Sequence, residues 1–172
     1  MGAYLFRGGL QQKPMPPLVR QPTVYDPDLG GMRITSTCWA AALSSWLSAA
    51  RNDDRSVENL VERFRPFLGK NGLDLGQFYN IADALFVRMS YEEIAKAEFT
   101  WDYLYDQLRQ SALYIILENA NPAHALVLYA ISLDKNNTQE VWLMDPLQGY
   151  RAGSLNAFRE RSPVFLVGVA KQ

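Results

Sequence analysis

Cys38 is the only cysteine of this chain and His124 the only histidine, and an Asp145-Pro146 pair follows them. A thiol, an imidazole and a carboxylate in that order are the working parts of a cysteine-nucleophile hydrolase. The sulfur attacks an acyl carbon. The imidazole takes the thiol proton and later delivers it to the leaving group, while a carboxylate on the far ring nitrogen fixes the tautomer. Cys38 stands in Thr35-Ser36-Thr37-Cys38-Trp39-Ala40-Ala41-Ala42, where a helix should begin. At the first turn of a helix, the macrodipole and the unpaired backbone donors favour an anionic sulfur, the reactive form. The backbone N–H of Cys38 is also sited to donate to an oxyanion.

Each residue alone has an ordinary explanation. A cysteine among tryptophan and alanines is usually a small buried hydrophobe, a lone histidine at a strand start is commonly structural, and Asp-Pro opens many turns. Their order and the elements that carry them shift the balance toward catalysis.

From Ser36 the pattern is helical: Trp39, Ala42, Leu43, Trp46, Leu47 and Ala50 make one apolar face, and Ser36 or Thr37 suits the N-cap. Further helices are predicted from Ser56 with Val57, Leu60, Val61 and Phe64 inward, over Leu75 to Phe86 with Phe78, Ile81, Ala82 and Leu85, and after Thr100 with Trp101, Leu104, Tyr105 and Leu108. Beyond Gln110 the residues turn β-like. Leu113–Leu117 and His124–Ile131 are apolar strands, the second suited to cover on both faces. Asp134-Lys135-Asn136-Asn137 is turn chemistry, so Val141–Met144 should return antiparallel in a hairpin. That hairpin brings His124 and Asp145, 21 positions apart, to neighbouring rungs. Ser154–Arg159 reads as one or two helical turns and Val164–Ala170 as a closing strand. Helices first and strands afterwards give an α+β fold, the N-terminal helices packed on a C-terminal antiparallel sheet.

Residues 1–31 stand apart, with five of the nine prolines and five of the eleven glycines, and are expected to form an extended arm before a domain of residues 32–172. At 172 residues the chain can bury a core without crosslinks, and a single cysteine forms no internal disulfide. A net charge of −1 gives no electrostatic reason to expect nucleic acid or an anionic membrane. The N-terminus lacks the apolar core of a secretory signal, and no run nears a membrane span, so the expectation is a cytoplasmic protein, or export without a cleaved signal. One histidine and no second cysteine speak against a zinc cage, and no glycine-rich phosphate loop is present, so no metal or cofactor is expected. Tyr79, Trp101, Tyr103 and Tyr105 are read as packing residues ahead of a substrate cleft.

Cys38-Trp39-Ala40-Ala41, His124-Ala125-Leu126-Val127 and Val141-Trp142-Leu143-Met144-Asp145-Pro146 with Gly149 resemble the papain-like cysteine peptidase superfamily in its compact bacterial branch. That branch holds double-glycine leader peptidases of peptide exporters and papain-like effector proteases. Ser154-Leu155 with Phe158 before a last strand is similar too, and the resemblance covers about residues 32–169. It implies a papain-like fold and a thiol protease of effector or toxin type. Cys38 would be the nucleophile, His124 the general acid and base, and Asp145 the orienting residue. The family's oxyanion-hole glutamine, five or six residues before the cysteine, is replaced here by Arg33 and Met32. Arg33, Thr35 and Ser36 are the candidate replacement donors. Losing one such donor costs about 10²–10³ in rate, so slow activity, an activating or inhibitory protein partner, or chemistry other than ordinary proteolysis follow from that departure. The implied substrate is a protein or peptide. The residues leave open glutamine deamidation or transamidation through the same acyl-enzyme, and a catalytically weak binding module that keeps the fold.

Overall fold

The computed structural model describes residues 15–20, 24–25, 33–34, 37–69, 72–74, 78–85, 87–117 and 124–171. A six-stranded antiparallel sheet organises them, in the order β5-β10-β6-β7-β8-β9. The strands are β5 (Met89–Ala95), β6 (Leu113–Leu117), β7 (His124–Leu133), β8 (Gln139–Asp145), β9 (Gly149–Ser154) and β10 (Val164–Ala170). Two short pairs lie outside it: β1 (Val24–Tyr25) with β2 (Arg33–Ile34), and β3 (Leu68–Gly69) with β4 (Gly72–Leu73). The helices are α1 (Cys38–Arg51), α2 (Val57–Phe64), α3 (Phe78–Leu85), α4 (Trp101–Leu108) and α5 (Leu155–Arg159).

The period-two alternation of the central strands splits the core in two. Tyr114, Ile116, Ala125, Val127 and Met144 face α1, α2 and α3, whereas Leu113, Ile115, Leu126, Leu128 and Leu143 face α4 and α5. The central strands β6 and β7 are buried on both faces, as their unbroken apolar runs require. Capping follows the sequence: the side chains of Ser56, Thr100 and Ser154 accept from the backbone N–H groups of Asn59, Tyr103 and Ala157, opening α2, α4 and α5.

Two strands of the six-stranded sheet, and the four short strands outside it, are absent from the sequence reading. β5 and β9 are the sheet's edges and expose most of their side chains, so neither carries the apolar run that marks β6 and β7. The closing strand β10 lies inside the sheet, between β5 and β6. Gly168 on β10 is needed there because a Cβ would collide with the Met89 side chain and press on Tyr79.

Candidate active site

Helix α1 brings the thiol to the sheet. Ten consecutive residues, Cys38 to Leu47, are buried, well beyond the single apolar face that the periodicity predicts, because α1 is enclosed between the sheet, α2 and the segment 15–20. Alanines 40, 41 and 42 leave out the bulk that would hold the helix away from β7. The Trp46 indole Nε1 donates to the Ala112 carbonyl at 2.9 Å, fixing the helix against the start of β6. Thr37 takes the N-cap position, and its carbonyl accepts from the Ala41 N–H at 3.0 Å. Cys38 therefore begins the first turn, where backbone N–H groups have no partner within the helix. The residue is 2% exposed.

The β7–β8 hairpin supplies the imidazole and the carboxylate. Val127 pairs with Met144 and Leu128 with Leu143, and a bulge between Leu128 and Ala130 resets the register toward the turn. The start of β7 thus lies beside the end of β8. There His124 Nε2 meets Asp145 Oδ1 at 2.9 Å. With Nε2 engaged by the carboxylate, Nδ1 is the other ring nitrogen, and Cys38 lies close enough to the ring to interact with it and help raise its pKa. Burial lowers the His124 pKa, but the hydrogen bonds and charges of Asp145 and Cys38 outweigh it and raise the value to about 9.

Asp145 is 1% exposed. Burial alone would raise its pKa, yet the His124 contact and two backbone donors hold it below the usual carboxylate value. Those donors are the Leu147 N–H at 2.8 Å and the Gln148 N–H at 3.4 Å, both on Oδ1. The turn that delivers them closes on Gly149 at φ +84°, a left-handed conformation suited to glycine, where β9 begins. A residue far upstream also reaches this turn: Arg20 Nη1 donates to the Leu147 carbonyl at 3.3 Å, and its guanidinium lies over Gly149. Nearby, the Tyr150 hydroxyl donates to the Pro16 carbonyl and the Ser45 hydroxyl to the Pro17 carbonyl, each at 2.6 Å. Residues 15–20 therefore bridge the helix of Cys38 and the turn of Asp145.

Three sequence-predicted residues thus converge: Cys38, His124 and Asp145. Of the oxyanion-hole candidates, Arg33 has its backbone paired with Tyr25 in β2, while its side chain, and all of Thr35 and Ser36, lie outside the described residues. The aromatic residues pack elsewhere. Tyr79 stacks on Tyr91 at 4.0 Å between ring centroids, and Trp101, Tyr103 and Tyr105 lie against the core on the α4 side of the sheet. The backbone donors of Leu147 and Gln148 escaped the sequence reading, although Asp-Pro-x-x-Gly is the signal of an Asx-type turn. No signal links Arg20 to Leu147, 127 positions away. Among the described residues, no group of three or more His, Cys, Asp or Glu side chains could hold a metal ion, and no helix is long and apolar enough to cross a membrane.

A model of the family described as papain-like cysteine protease AvrRpt2 matches residues 24–162. Among solved structures, the chain is similar to the peptidase domain of Streptococcus ComA, a bi-functional ABC transporter involved in a quorum-sensing pathway. The TM-score is 0.56 at 16% identity, over 90% of this chain and 98% of that one. It is also similar to a double-glycine-motif protease from an AMS/PCAT transporter, solved in complex with a leader peptide. There the TM-score is 0.50 at 14% identity, over 87% of this chain and 93% of the other. At these identities the two structures show a shared fold. No curated protein sequence matches significantly.

Proposed function

This chain belongs to the papain-like cysteine protease AvrRpt2 family, and on that premise we propose that it cleaves peptide bonds through a thioester on Cys38, with His124 as general acid and base and Asp145 as the orienting residue. The observation that carries this reading is the buried His124–Asp145 pair at 2.9 Å, with Cys38 near enough to the imidazole to interact with it. A binding module that had only kept the fold would have no need to hold a buried imidazole between a carboxylate and a thiol.

In the reaction so proposed, Nδ1 of His124 takes the Cys38 proton and the sulfur attacks the scissile carbonyl. The tetrahedral oxyanion is met by the Cys38 backbone N–H, with a second donor supplied from Arg33, Thr35 or Ser36. The imidazolium then protonates the departing amine, leaving an acyl group on sulfur. Water, deprotonated by the now neutral ring, attacks the thioester, and the carboxylic acid leaves as the thiol is restored. Asp145 stays ionised throughout, held so by two backbone donors, and keeps Nε2 protonated.

We further read residues 1–31 as an arm and 32–172 as the peptidase domain, and the whole as an effector or toxin of bacterial type acting on a protein or peptide of another cell. The family match and the contacts of Pro16, Pro17 and Arg20 with the domain support this. Proteomics of cells expressing wild type or Cys38→Ala tests it, reading new protein termini and Gln→Glu mass changes together. New termini that depend on Cys38 are the expected result. Glutamine conversion without new termini would replace proteolysis by deamidation, and identical proteomes would remove the enzymatic reading.

A further inference from the structure

On the face of the sheet away from α1, next to the row that ends in Asp145, lies a recess of about 130 Å³. Its floor is Val141 and Leu143 of β8, and Phe158 of α5 forms one wall. Two cations converge on it. Arg151 stands opposite Leu143 across the β8–β9 ladder, and Arg161 follows α5, with its guanidinium 5.5 Å from the Phe158 ring centroid.

Like charges brought together over one recess repel each other, and an anion bound between them relieves that repulsion. Among the described residues, no carboxylate forms an ion pair with Arg151 or Arg161. The carboxylate that Arg161 senses is that of Asp145, which is already committed to His124 and two backbone donors. Arg151 and Arg161 are both exposed to solvent, and Arg151 repels Arg161. Guanidinium groups are the side chains best shaped to grip a carboxylate or phosphate with paired N–H donors. Between them the small accessible edges of Leu143 and Phe158 give an apolar body a contact that a bare inorganic ion does not use.

We propose that this recess binds a small organic oxyanion, a carboxylate or phosphate carried on a compact apolar body, with Arg151 and Arg161 gripping the charge and Leu143 and Phe158 covering the body. Such a ligand would sit apart from Cys38, on the opposite face of the sheet, and so regulate the enzyme rather than serve as its substrate. Its charge would act on the triad through Arg161, whose guanidinium interacts with the Asp145 carboxylate.

Calorimetric titration of the full chain with phenyl phosphate, benzoate and inorganic phosphate tests this without any measure of catalysis. The expected result is saturable binding of both organic anions, tighter than inorganic phosphate by about tenfold from the apolar contact. Arg151→Gln and Arg161→Gln should each weaken it by about tenfold or more, and the lysine variants should lie between. Cys38→Ala should bind as the wild type does, and so should Arg65→Gln, whose partner is Glu62. Amide NMR shifts should centre on Ala152 and Gly153, and thermal unfolding without ligand checks that each variant is folded. The proposal is overturned if inorganic phosphate binds as tightly as phenyl phosphate, if the double glutamine variant retains affinity, or if nothing saturates by roughly 10 mM.

Discussion

The Tyr114 hydroxyl donates to the Trp39 carbonyl across 2.9 Å, tying the residue next to the thiol to strand β6. Both groups are buried, and Tyr114 also stacks on Phe78 at 4.9 Å. The nucleophile's helix is therefore anchored by a hydrogen bond as well as by packing. Tyr114→Phe keeps the ring and removes only the donor, so it should cost about 1 kcal/mol in urea unfolding. Trp39→Ala, which empties a fully packed site against Phe64, should cost about 3–5 kcal/mol.

The imidazolium should set the alkaline limit of activity. With the His124 pKa raised to about 9, kcat/KM is expected to fall as pH passes through that value, because the acid that protonates the leaving amine disappears. Asp145→Asn removes the carboxylate charge that helps raise it, so the limb should move to lower pH. Its kcat should drop by roughly 10²–10⁴, since an amide can also hold the ring with the wrong tautomer. A pH profile of both proteins on a peptide substrate reads both effects.

The same pair bears on stability. The folded His124 pKa lies above its ordinary 6.5, so its stabilising contribution is complete below pH 6.5 and is lost as pH rises through about 9. The shift corresponds to about 3 kcal/mol. Asp145 has the opposite sign: its pKa is lowered, so its share is present at neutral pH and lost on strong acidification. These are two views of one ion pair and are not to be added. The stability difference between wild type and His124→Gln, measured in urea at pH 6 and pH 9.5, should shrink toward the higher pH.

Much of this arrangement was legible in the residues. β6, β7, β8 and β10 announce themselves by apolar runs and turn chemistry, and α1, α2 and α4 by spacing and caps. The hairpin argument reached the meeting of His124 with Asp145 because antiparallel pairing fixes which strand ends lie together. Edge strands β5 and β9 were not legible, since one unpaired side removes the need for apolar alternation. The contacts of Pro16, Pro17 and Arg20 were not legible either. They depend on where a proline-rich segment is laid down by tertiary packing, which no local periodicity records.

That segment offers a separate test. Ser45→Ala and Tyr150→Phe each delete one hydroxyl that donates to the carbonyls of Pro17 and Pro16. Each should cost about 1 kcal/mol, and the pair together about 4–8 °C in Tm for a domain of this size. Unchanged melting of the double variant would show that residues 15–20 do not hold α1 and the β9 side together.

The account rests most directly on the reactivity of one sulfur. Iodoacetamide should label Cys38 at pH 5.5 faster in the folded protein than in urea-unfolded chain, because the His124 ring beside it takes the thiol proton as sulfur attacks. His124→Ala should slow that labelling by about tenfold or more. Labelling that is slower in the folded protein, or equally fast with and without His124, would contradict it.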